Sequence, residues 1–305
     1  MDFGAVSAYD LGLLTNKIEV ICLDYIKPGQ LVEDVAKTGA YKSSLSIKDL
    51  LIKGGLAGAY LGFATTLAFT AATETKLGIV GAFVFPVGFV LILLLGLELV
   101  TGNFAMLPLA RLRGLITCKD VFYNFYWAFI GNLLGSFFYG ILFYITVTKL
   151  GHVTEGAMIE KIIAVAEGKT IAYKSLGSDG MILSVTKAIL CNWMVTLGAF
   201  MAFASSSVIG KIAAMWLPVF IFFAHGFEHA VVNMFVLPTA ILMGADFTVT
   251  DWWVWNQIPV TIGNFIGGFL FTGLSLHLVH KNKSRTENNL SIVTNTKVRK
   301  SDVDL

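Results

Sequence analysis

Glu228, His229 and Asn233 sit together in GFEHAVVNMFVLP, residues 226–238, inside a long apolar region. Ionisable groups are costly in hydrocarbon and face a cavity or a partner there. A second stretch, GLELVTGNFAMLP at 96–108, answers the first. Gly96, Glu98, Asn103 and Pro108 correspond to Gly226, Glu228, Asn233 and Pro238, each pair 130 positions apart. The bracketing glycine and proline predict a helix that breaks and reforms in each copy. Only the second copy carries a histidine, the side chain that titrates near neutral pH. Thr101 adds a hydroxyl at the first break, and Asn192 and Asn233 add amide donors. Helix amino-terminal ends meeting at such breaks favour anions through free N–H groups and the dipole. The set suits a small monoanion or its neutral conjugate acid. Carboxylates are too few for a divalent-cation route. No HExxH pattern or cysteine cluster points to metal, and no cofactor is expected. A purely structural His229, bonded to a backbone carbonyl, is the competing reading; the adjoining Glu228 and the mirrored break weigh against it.

The elements that position these residues follow from hydropathy. The 305 residues are 56% hydrophobic and 14% charged, against roughly one quarter charged in soluble domains. Apolar runs cover 54–73, 77–97, 121–148, 188–210, 212–245 and 252–280. A span needs about 20 residues, so an all-α membrane protein with six spans is expected. Gly54, Gly58 and Gly62 predict close helix packing in the first span. IGNLLGSFFYG at 130–140 and IGNFIGGFLFTG at 262–273 form a second matched pair, 132 positions apart. The halves are 50–148 and 181–280. Three spans in each make the second half inverted, with broken helices two and five, which is a transport architecture. Around this domain, 49–280, lie an N-terminal segment, 1–48, and a polar tail, 281–305.

Arg111–Lys119, Lys211, Lys281 and the N-terminal lysines fall on one side of this plan, which predicts cytoplasmic termini. No signal-like apolar segment opens the chain, so no cleaved peptide is expected. Trp252, Trp253 and Trp255 read as interfacial anchors, and MIEKIIAVAE at 158–167 as an amphipathic surface helix. Cys22, Cys118 and Cys191 are too scattered for a disulfide framework or a metal site. The glycosylation pattern at Asn289 is moot in a cytoplasmic tail. No nucleic-acid motif is present. Lys42 lies close to the first span, where it reaches a vestibule or serves as a charged flank. Lys187 lies near the start of the fourth span, where it snorkels or lines a vestibule. An apolar slit strips a bare anion of hydration at high cost. A neutral acid loses far less, so permeation with a proton is expected.

Four ordered motifs resemble the formate/nitrite transporter family: GAYK (39–42), ELVTGN (98–103), AILCNWMV (188–195) and GFEHAVVNM (226–234). The resemblance covers about residues 30–280. It implies an aquaporin-like six-helix protomer in a homopentamer, with one pore per subunit. His229 matches the family's central pore histidine, Thr101 the threonine that contacts it and Asn192 the pore asparagine. Lys42 matches a vestibule lysine. Phe85, Phe89 and Phe222 match one constriction, and Leu99, Val100 and Val195 resemble the other. A second vestibule lysine is typical before span four, with Lys174 the nearest candidate and Lys187 a further one. Phe89 stands where several relatives carry leucine, and Glu98 where some carry aspartate. Family substrates include formate, nitrite, lactate, acetate and hydrosulfide, and some algal plastid relatives are linked to bicarbonate. The expectation is a nitrite or formate channel in a plasma or bacterial inner membrane, and no enzyme. A bicarbonate channel of a plastid envelope is the runner-up, followed by a lactate, acetate or hydrosulfide channel. A water or glycerol channel needs paired Asn-Pro-Ala-like loops, which neither break has.

Overall fold

The computed structural model describes residues 25–281. The tail after Lys281, Asn289, Cys22 and the first half of the N-terminal segment lie outside them. The described chain is an all-α bundle. Four helices are long and apolar enough to cross a membrane: α2 (Ile47–Thr75), α5 (Cys118–Val147), α8 (Ser178–Met201) and α11 (Val249–Lys281). Shorter apolar helices are α3 (Gly78–Leu94), α9 (Val208–Ala224) and α10 (Ala230–Leu242). Three more elements place the site: α1 (Pro28–Ser43), α4 (Val100–Leu112) and α6 (Ala157–Gly168). A six-residue helix, α7 (Ile171–Leu176), leads into α8. The protein is a multi-pass integral membrane protein.

Small residues set the two most extensive contacts, α2 on α5 and α8 on α11. A Cβ on Gly54 would meet Gly131, and one on Gly58 would meet the Asn132 carbonyl and Ser136. A Cβ on Gly135 would strike the Gly55 backbone. On the other side, Gly263 lies against Ala188 and Gly267 against the Ile189 backbone. Close backbone approach is the usual means of membrane-helix packing, because lipid removes the hydrophobic drive between helices.

Helices α3 and α9 end the same way. Gly96 and Gly226 both adopt a left-handed φ of 62°. Leu97 N–H reaches back to Ile92 O at 2.9 Å, and Phe227 N–H to Phe222 O at 3.2 Å. These are glycine C-caps of the Schellman type, which satisfy carbonyls that a broken helix would leave open. The chain then runs extended through Leu99 and His229 into α4 and α10. Pro108 and Pro238 do not mark the far ends of these breaks, as expected from the sequence. Both lie inside the re-formed helices.

The 158–167 stretch is the amphipathic helix expected from the sequence, at the bundle surface with its apolar face turned inward. Ile159, Ile162 and Ala166 of α6 are buried, and α6 packs on α10 and α2. Its counterpart is α1, whose buried Val32, Val35 and Gly39 stand 127 positions earlier in the same spacing and pack on α4. Trp252, by contrast, is not the interfacial anchor expected: it is buried, and its indole N–H donates to Gln257 Oε1 at 3.1 Å.

Candidate functional site

The two breaks are held by the same set of contacts, made twice. Asn132 of α5 accepts from Val100 N–H at 2.9 Å and donates to Glu98 O (2.7 Å) and Gly54 O (2.9 Å). Asn264 of α11 accepts from Ala230 N–H at 2.8 Å and donates to Glu228 O and Ala188 O, each at 2.8 Å. One side-chain amide thus ties a break to two neighbouring helices, as unpaired backbone at membrane depth requires.

The glutamates follow suit. Glu98 Oε1 accepts from Lys42 Nζ at 2.6 Å, and Oε2 accepts from Asn103 Nδ2 at 2.8 Å. Asn103 also donates to Asn124 Oδ1, and Asn124 Nδ2 donates on to Lys42 O. In the other half Glu228 Oε2 accepts from Lys169 Nζ and Asn233 Nδ2, each at 2.8 Å. Asn233 donates to Asn256 Oδ1, and Asn256 donates to Lys169 O. Tyr173 of α7 has no counterpart in the first half: its hydroxyl donates to Glu228 Oε1 at 2.7 Å. Burial first, then the Glu228 charge and hydrogen bond, push its pKa well above the usual phenol range. It therefore stays a donor. Both glutamates are about 1% exposed with every near oxygen engaged. They hold lysines rather than face open space.

Lys169 thus fills the place for which Lys174 and Lys187 were candidates. Lys174 pairs with Asp251 at 2.8 Å and is half exposed. Lys187 lies over the Tyr173 ring, 5.7 Å from its centroid. Lys169 was missed, though its 127-position offset from Lys42, with the same preceding apolar spacing, would have found it. Asn124, Asn256, Asn132 and Asn264 are the other site residues that sequence reasoning did not assign.

His229 caps α10. Val232 N–H donates to His229 Nδ1 at 3.2 Å, and His229 Nε2 lies 3.0 Å from Thr101 Oγ1 in α4. A backbone amide only donates, so Nδ1 accepts and the neutral ring carries its proton on Nε2. Thr101 Oγ1 then accepts, and its own hydroxyl hydrogen is left to point elsewhere. This 3.0 Å contact joins the two breaks. Asn192 holds the junction: its Nδ2 donates to Thr101 O (3.0 Å) and Asn264 O (2.6 Å). Both Asn192 and Asn233 therefore spend their amide hydrogens on protein. The expectation that they offer donors is corrected, because each leaves a buried Oδ1 without a partner.

Rings close one side. Phe222 stacks on His229 with centroids 5.6 Å apart, and Phe85 meets Phe222 edge-on at 5.6 Å. Phe85, Phe89 and Phe222 are buried, as are Leu99, Val100 and Val195. A cavity of about 160 Å³ is lined by His229, Lys169, Phe222, Phe223, Phe227 and Val232 among others. A second, of about 190 Å³, is lined by Lys42, Lys211, Thr38 and Leu97 among others. Among the described residues no group of three or more His, Cys, Asp or Glu is placed to hold a metal.

A family model described as formate/nitrite transporter matches residues 29–278. The uncharacterized transporter YrhG of Bacillus subtilis (strain 168) is 36% identical over 274 residues, 88% of this chain and 98% of its own. The formate channel BtFdhC of Bacillus thuringiensis is 36% identical over 255 residues, 82% of this chain and 93% of its own. Among solved structures, an FNT family ion channel superposes with a TM-score of 0.71 at 27% identity, covering 82% of this chain and 98% of that one. A pentameric formate channel with formate bound superposes with a TM-score of 0.63 at 25% identity, covering 80% and 98%.

Proposed function

Because the chain belongs to the formate/nitrite transporter family, we propose that it is a channel for small monovalent anions, formate or nitrite first. The protein is a transporter and not an enzyme, as its family is. Each protomer is read as six spans in two inverted halves, with α3–α4 and α9–α10 as the broken second and fifth spans. Five protomers assemble, each with its own pore, and the termini lie on the basic, cytoplasmic side. The observation that carries this reading is the His229–Thr101 contact at 3.0 Å, where the two breaks meet at the wall of a lysine-bearing cavity.

The anion gathers at a lysine mouth and passes the apolar residues beside the junction, where it loses hydration. There the Thr101 hydroxyl hydrogen, left free because Oγ1 accepts from His229 Nε2–H, is the donor that meets it. A bare anion in that slit is costly and its neutral acid is not, so flux runs with a proton. His229 takes up a second proton only at Nδ1, and that site is occupied by Val232 N–H. The capped ring and the protonated ring are thus alternative states. An approaching anion favours the second by Coulomb attraction.

The test is flux into liposomes carrying the purified protein, comparing formate, nitrite, lactate, hydrosulfide and bicarbonate at two pH values. The expected result is rapid entry of formate or nitrite, faster at the lower pH. Entry of bicarbonate alone, or of none of the five, contradicts the proposal.

A further inference from the structure

The two mouths are not electrically alike. At the first, Lys42 is matched by Glu98 at 2.6 Å, and its Nζ also lies 3.4 Å from Leu97 O. That pair contributes little net charge. Thr38, the other polar residue there, spends its hydroxyl hydrogen on Asp34 O at 2.9 Å. Yet the cavity has a second lysine, Lys211, from the first turn of α9. Lys211 is half-buried and has no carboxylate within ion-pair distance among the described residues. At the second mouth the lining holds one lysine, Lys169, matched by Glu228. Among the described residues the first mouth thus has two lysines for one carboxylate, and the second has one for one.

We propose that Lys211 is the residue that recruits the anion at the Lys42 mouth, a site for a small carboxylate or oxyanion set ahead of the apolar slit. The inference rests on the anion-channel reading above and adds to it the source of the net positive field. An unpaired cation in a cavity with low-dielectric walls raises the local concentration of anions and speeds their capture. Lys42, locked to Glu98, holds the break in shape instead. Lys211 acts before the slit, so it governs capture and not the passage that follows.

Formate flux into liposomes, measured against formate concentration at low and at high salt, tests this in wild type, Lys211→Arg, Lys211→Gln and Lys211→Glu. At low salt the Gln variant is expected to raise the half-saturating concentration about three-fold and the Glu variant further. Arg keeps the wild-type value, and maximal flux is unchanged in all three. The differences vanish at high salt, because the screening length falls from about 30 Å at 0.01 M to about 3 Å at 1 M. Variants that match wild type at low salt, or a deficit that persists at high salt, overturn the role of Lys211. A wild-type protein that carries no anion overturns the channel reading instead, and the inference with it.

Discussion

At the scale of single residues, the junction is a short list of hydrogen bonds with few spare partners. Thr101→Val keeps the shape and removes the acceptor of the His229 Nε2–H. One buried hydrogen bond is worth about 1 kcal/mol net, and more when its partner is stranded. Formate flux is expected to fall about ten-fold, and a stopped-flow comparison checks it. Tyr173→Phe strips Glu228 of one donor while Lys169, Asn233 and Asn256 remain. Hydrogen bonds to charged groups contribute about 1.5–3 kcal/mol, so a lower melting temperature in detergent is expected. His229, Thr101, Glu98 and Glu228 were legible in the sequence because a charge or hydroxyl in an apolar run needs a reason. Lys169 was not, because it lies in a hydrophilic stretch where one lysine looks like another. The spent amides of Asn192 and Asn233 were not either: sequence names a donor but not what it donates to.

At the scale of elements, two asparagines do the work of loops. Asn132 and Asn264 each satisfy one N–H and two carbonyls of backbone that has left its helix. Asn132→Leu or Asn264→Leu strands three groups at once. At about 1–3 kcal/mol for each unpaired buried group, either variant is expected to lose about 3 kcal/mol or more. Thermal unfolding in detergent reads the loss, and equal effects in the two halves are expected from the equal geometry. Glycine packing gives a sharper contrast. Gly135→Leu drives a side chain into the Gly55 backbone and is expected to prevent assembly, whereas Gly29→Ala meets nothing and is expected to be silent. Size-exclusion profiles separate the two. Both breaks were legible as paired motifs, but their limits were misjudged. In the sequence proline reads as the stop, but the turn is made by Gly96 and Gly226 and the prolines sit within α4 and α10. The role of α6 was hidden because its apolar face is short and lies between charged residues.

At the scale of the whole molecule, the same contacts recur around two helix breaks that meet at one imidazole. The matched spacing includes α1 and α6, with a glutamate-held lysine in the last turn of α1 (Lys42) and at the C-cap of α6 (Lys169). Large apolar side chains such as Phe63, Phe83, Phe138, Leu134 and Ile182 lie exposed on the outer faces. Lipid is the partner such faces need, and the assembly proposed above would cover part of them. Native mass measurement in detergent is expected to show five subunits, and a stable monomer would contradict the assembly. The proposed passage of anions with a proton at His229 is checked by formate flux into liposomes as pH is lowered, in wild type and in His229→Phe. Wild-type flux is predicted to rise as pH falls, and the Phe variant to lose the flux or its pH response. Identical flux and pH response in the two proteins would contradict the account.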